Sequence, residues 1–121
     1  LKDALDLYHS MTVQVPIETR QGVHNVPISS IIMVEAQGKK VIVHTTARDY
    51  ESIHTMQYWL DQLPVNRFFQ THRSFIINYE HITNFDHMLV HLSNGQFTAY
   101  LTKRKYSAFK GAYLLYLEST R

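Results

Sequence analysis

In the stretch FFQTHRSFIINYEHI, Phe68 to Ile82, an imidazole, a guanidinium and a hydroxyl stand in a row as His72, Arg73 and Ser74, between residues that read as core. Such a knot is open to three chemistries: catalysis by the paired serine and histidine, a buried polar network, or recognition of an anion by the cations. Two more short cationic groups, Lys39-Lys40 and Lys103-Arg104-Lys105, punctuate the chain.

Catalysis finds little support. A nucleophilic serine needs an elbow and oxyanion donors, and neither a GxSxG pattern nor flanking glycines surround Ser74. Glu35, Asp49, Glu51, Glu80 and Asp86 fall in separate segments, so nothing marks a carboxylate pair. The four glycines are scattered, which argues against a phosphate-cradling loop. With no cysteine in the chain, disulfides, thiolate ligands and thiol catalysis are excluded, and a reducing compartment is compatible. Eight histidines raise the question of a metal, yet no HExxH or regularly spaced carboxylate completes a ligand set, even though His87 and His91 can share a strand face. Surface or hydrogen-bonded histidines are expected instead, with no metal, no cofactor and no enzymatic activity.

The cations are more informative. Lys39 and Lys40 lie at a hairpin end, His72 and Arg73 lie between two extended pieces, and Lys103 to Lys105 open the last helix. If these junctions converge at one sheet edge they form a comb suited to phosphates and groove edges. For Lys39 or Lys40 alone, the ordinary preference of lysine for turns is the better account. Positive charge at a helix N-terminus opposes the helix dipole, so TKRK is locally unfavourable and hints at function. A formal net charge of +2 permits an anionic partner without requiring one.

The elements that must position these groups follow from hydrophobic periodicity. Residues 1–11 predict a lead-in with a short helix, and residues 12–121 a single domain. TVQVPIET alternates as a strand with Pro16 suited to an edge, and HNVPI, IIMVEA and VIVHT continue in extended runs. A further extended piece spans Arg48 to Ile53. Met56, Trp59, Leu60 and Leu63 recur at helical spacing until Pro64. SFIIN and ITNF read as strands, and MLVHLSNGQFTAYL reads as a tight hairpin about Asn94-Gly95. Lys103 to Leu117 predicts a helix with Thr102 as N-cap and Tyr106, Phe109, Tyr113 and Leu117 on one face, Leu114 alongside.

The expected class is therefore mainly β, a β-rich α+β fold of short, mostly antiparallel sheets with two peripheral helices. No helix-turn-helix stands out, so any reading of DNA falls to loops or strands. No apolar run reaches the roughly 18 residues of a membrane span. The chain opens at Leu1 rather than Met, as expected of an excised fragment or processed product.

FFQTHRSFIINYEHI, preceded by LP and followed by a hairpin and LTKRK, resembles the LytTR DNA-binding domain of bacterial response regulators; IIMVEAQGKKVIVHTT is similar to that family's opening strand pair. The resemblance runs from about Thr12 to Leu117. It implies a cytoplasmic transcription regulator's output domain that inserts loops into successive major grooves of promoter DNA carrying repeated elements. It also implies tandem or dimeric binding and a receiver domain ahead of this chain. Carried over by position, Lys39 or Lys40, Arg73 with His72, and Arg104 with Lys103 become base-reading candidates. Ser74, Lys105 and Tyr106 suit phosphate. The family often has Ser-Arg where Thr102-Lys103 stands here, which weakens Lys103 as a reader because lysine lacks the guanidinium fork. In a second reading His72 is buried, bonds a neighbouring backbone group and positions Arg73 without touching DNA. A third makes the chain a protein-interaction module whose tyrosines, phenylalanines and Trp59 form an aromatic contact surface.

Overall fold

Strand-forming runs separated by short turns assemble into three sheets in the computed structural model, which describes residues 13–120. The expected lead-in over residues 1–11 lies outside the described residues. β1 (Gln14–Thr19) and β2 (Gly22–Pro27) form a hairpin. A five-stranded sheet takes β3 (Ile31–Gln37), β4 (Lys40–Thr45), β5 (Asp49–Ser52), β6 (Phe68–His72) and β7 (Phe75–Asn78) in the order β5-β4-β3-β7-β6. β8 (Ile82–Phe85), β9 (Leu89–Leu92) and β10 (Phe97–Tyr100) make a three-stranded sheet. Helix α1 (Met56–Gln62) links β5 to β6, and α2 (Tyr106–Ser119) follows β10. All strand pairs are antiparallel, as the short connections require. The β-rich architecture matches the expectation.

β3 and β7 are apolar along nearly their whole length because the central sheet is covered on both faces. Val34 and Ile76 point into one core with Ile17, Trp59, Leu63 and Phe68. Met33, Phe75 and Ile77 point into a second with Val90, Leu92 and Phe109. Two polar side chains that enter these cores are paired. Trp59 Nε1 donates to Ser52 Oγ at 3.0 Å, and buried Asn78 donates to the Ile31 carbonyl at 2.8 Å while accepting from the Glu80 amide at 2.9 Å. Asn78 thus ends β7 and caps the 3-10 turn Tyr79–His81, and Ile82 packs on the second core.

Three local expectations need correction. Lys103–Lys105 form a 3-10 turn, α2 begins only at Tyr106, and the Thr102 hydroxyl caps nothing; instead the Thr102 carbonyl accepts from the Lys105 amide at 3.0 Å. The reason is that Thr102 belongs to the sheet edge: its own amide is held by β6. On α2 the inward row is Tyr106, Phe109, Tyr113 and Tyr116, and Tyr116 lies 5.2 Å from the Tyr79 ring, so Leu114 and Leu117 are left exposed. The β9–β10 loop has four residues rather than two, since Leu92 pairs with Phe97 and Ser93, Asn94 and Gly95 adopt φ of 51°, 58° and 85°. Facing Leu92 and Phe97 toward one core sets that register.

Candidate nucleic-acid interface

Arg73 and Ser74 form the reversal between β6 and β7, and Arg73 is exposed. A bulge at Thr71 brings His72 opposite Phe75 and shortens the turn. The turn is closed by a side chain: the Ser74 amide donates to His72 Nδ1 at 3.1 Å. An amide can only donate, so Nδ1 is the acceptor and the neutral ring carries its proton on Nε2. The His72 ring packs 5.9 Å from both Phe75 and Tyr100. The backbone bond is that of the second reading of His72, but the ring is half-buried rather than buried because it sits at the sheet edge. The Nε2 donor makes no hydrogen bond among the described residues.

Hydrogen bonds tie this turn to the other two basic groups. The Ala36 amide donates to the Ser74 carbonyl at 2.9 Å, and Glu35 pairs with Phe75. The β3–β4 hairpin bearing Lys39 and Lys40 therefore ends on the same side of the five-stranded sheet as Arg73. On the other flank, the Thr102 amide donates to the Thr71 carbonyl at 3.0 Å, and Lys105 Nζ donates to the Gln70 carbonyl at 3.0 Å. Three junctions far apart in sequence thus meet at one edge. Lys39, Lys40, Arg73, Lys103, Arg104 and Lys105 account for six of the chain's twelve lysines and arginines, which concentrates positive potential there.

The six are not equivalent. Gly38 takes φ of 63° and exposes Lys39 at the hairpin tip. Lys40 lies 3.9 Å from Glu51, an exposed pair that restrains it weakly. Lys103 and Arg104 are exposed in the 3-10 turn. Lys105 is drawn inward, and burial, aided by the neighbouring Arg104 charge, holds its amine below the ordinary lysine value. One of its three donors is already used on Gln70, so it acts partly as a strut.

Sequence reasoning missed Tyr100. It is 60% exposed, with its ring 5.7 Å from Phe75 and its backbone two residues before Thr102. Outward alternation along FTAYL was the available signal. The other described aromatic residues are buried or half-buried, in the cores or against them, and so do not form an exposed contact surface. Several histidines outside the edge are hydrogen-bonded: His44 meets Asp49 at 2.7 Å and Glu35 at 2.9 Å, His54 meets Glu18 at 3.0 Å, and His81 meets the Ser29 carbonyl at 2.7 Å. Among the described residues no cluster of histidines and carboxylates could hold a metal, and no helix is long and apolar enough to cross a membrane.

Comparison with known proteins places this geometry in context. The family model described as the LytTr DNA-binding domain matches residues 21–113. The sensory transduction protein LytR of Staphylococcus epidermidis is 29% identical over 85 residues, 70% of this chain and 34% of its own length. The transcriptional regulatory protein NatR of Bacillus subtilis is 28% identical over 109 residues, 86% of this chain and 47% of its own. The chain therefore spans less than half the length of either relative. A solved LytTr DNA-binding domain from Bacillus cereus superposes with a TM-score of 0.70 at 28% identity, covering 82% of this chain and 94% of the other.

Proposed function

The chain belongs to the LytTr DNA-binding domain family, and from that premise we propose that its basic edge reads sequence in the major groove of promoter DNA as the output domain of a bacterial transcription regulator. The observation that carries the proposal is the set of backbone bonds, Ala36 to Ser74 and Thr102 to Thr71, that joins the three basic turns into one surface.

In this reading Arg73 and Arg104 are the base readers, because a guanidinium can bond guanine O6 and N7 together. Lys39, Lys40, Lys103 and Ser74 hold phosphates and set the register, and Lys105 shares its charge between that task and the Gln70 carbonyl. His72 shapes the Arg73 turn and offers its Nε2 donor to the same surface. Tyr100 lies beside His72 and suits a sugar or methyl contact. Two copies bind repeated elements in tandem, a receiver domain precedes the chain, and the protein works in the cytoplasm. Neither helix serves as a recognition helix.

The test is the salt dependence of binding to duplex DNA. Each phosphate neutralised contributes a log-log slope of about −0.9. Steep weakening with salt that becomes shallower in Lys39→Ala and Lys103→Ala supports the assignment. Salt-insensitive binding removes it.

A further inference from the structure

A groove of about 540 Å³ opens between α1 and α2, with Lys105 of the last basic turn among its lining residues. Its floor is the outer strand β6 of the five-stranded sheet. The walls are apolar: Leu63 and Val65 follow α1, Phe69 and Tyr79 rise from the sheet side, and Ala108 and Ala112 line α2. Small residues on α2 leave the space open; the corresponding row of larger side chains, Phe109, Tyr113 and Tyr116, turns into the core. Among the lining residues one is charged, Lys105, and none is acidic.

We propose that this groove binds an amphipathic organic monoanion, an aryl or aliphatic carboxylate, with its apolar body between α1 and α2 and its carboxylate on the Lys105 ammonium. Volume and lining fit the usual small-molecule site, a mostly apolar cleft with a few oriented polar groups. Lys105 Nζ bonds the Gln70 carbonyl, which fixes the ammonium at the groove wall, and two of its three donors remain for a ligand. No carboxylate of the chain is within ion-pair distance of it among the described residues. A partly desolvated cation of this kind favours an anion that brings its own apolar surface, because the pair then forms away from competing water. This assignment goes beyond the DNA reading and shares Lys105 with it.

The test titrates the whole chain with 4-phenylbutyrate and, separately, with 4-phenylbutan-1-ol, following amide shifts by two-dimensional NMR. The acid is expected to bind with a Kd on the order of 1 mM, as befits so small a ligand, with saturable shifts at Gln70, Lys105, Ala108 and Ala112. The alcohol should bind about tenfold more weakly, and Lys105→Met should abolish that preference. Ala112→Leu, which fills the groove and leaves Lys105 in place, should weaken both ligands. Equal binding of acid and alcohol would overturn the proposal, as would shifts elsewhere on the surface or no saturation at about 10 mM. If Lys105→Met fails to fold, the acid-to-alcohol ratio in the unmodified chain and the Ala112→Leu response still decide.

Discussion

The Thr102 amide donates to the Thr71 carbonyl at 3.0 Å, joining the strand that leads into Arg73 to the turn that carries Arg104. Neither arginine is positioned by its own neighbours in sequence alone. The bond ties together the backbone segments that carry the two arginines, and in the proposed reading a reader of successive base pairs gains from having those segments held in place in advance.

Replacing Arg104 or Arg73 with alanine is expected to cost about 1 to 3 kcal/mol on the preferred sequence and to relax preference at one base pair each. Lys103→Ala is expected to weaken all sequences alike. Binding titrations against a panel of single-base variants check this; equal losses on specific and random DNA would remove that arginine from the readers.

His72 offers a separate test because its Nδ1 accepts from the Ser74 amide. His72→Ala should lose about 1 kcal/mol of stability. In His72→Asn the side-chain oxygen can accept the same amide two residues on, so stability should largely return. Chemical denaturation measures both. If His72→Asn also restores DNA affinity, the ring serves to shape the turn; if stability returns and affinity does not, the Nε2 donor touches DNA.

The seam between the arginines contains two buried hydroxyls without hydrogen bonds, Thr71 Oγ1 and Thr102 Oγ1. A buried unpaired hydroxyl is unfavourable, so Thr71→Val, which keeps shape and β-branching, should leave stability unchanged or raise it by about 1 kcal/mol. A loss of similar size in the unfolding free energy would show that the hydroxyl is engaged.

Tyr79 connects the second core to pH. Burial pushes its phenol from 10.0 up to about 12. Between those values an unfolded tyrosine ionises while the folded one stays protonated. Stability is therefore full below about pH 10 and falls as the pH approaches 12. Denaturation midpoints on either side of pH 10 should show a smaller fall in Tyr79→Phe than in the unmodified chain. An undiminished fall would assign it elsewhere, with Tyr116, also raised chiefly by burial, the next residue to replace.

The strands and the three cationic groups were legible because their signals are local: apolar runs, a positive-φ glycine and charges in short clusters. What joins them was not. The bonds Ala36 to Ser74 and Thr102 to Thr71 connect residues 38 and 31 positions apart, and no periodicity encodes them. For the same reason Thr102 read as a helix cap when the sheet edge holds it. Tyr116 competes with Leu117 for the same helical face, and only the Tyr79 ring across the core decides between them. Lys105 looked like its neighbours in TKRK, although the Gln70 carbonyl draws it inward.

The most direct measurement is selection of duplexes from a randomised pool by the purified chain at two salt concentrations, alongside the Arg73→Ala, Arg104→Ala double variant. Enrichment of a repeated motif by the unmodified chain, weakened by salt and lost in the double variant while salt-sensitive binding to random DNA persists, is the predicted result. Equal enrichment by both proteins, or none by either, would contradict a basic edge that reads sequence through these two arginines.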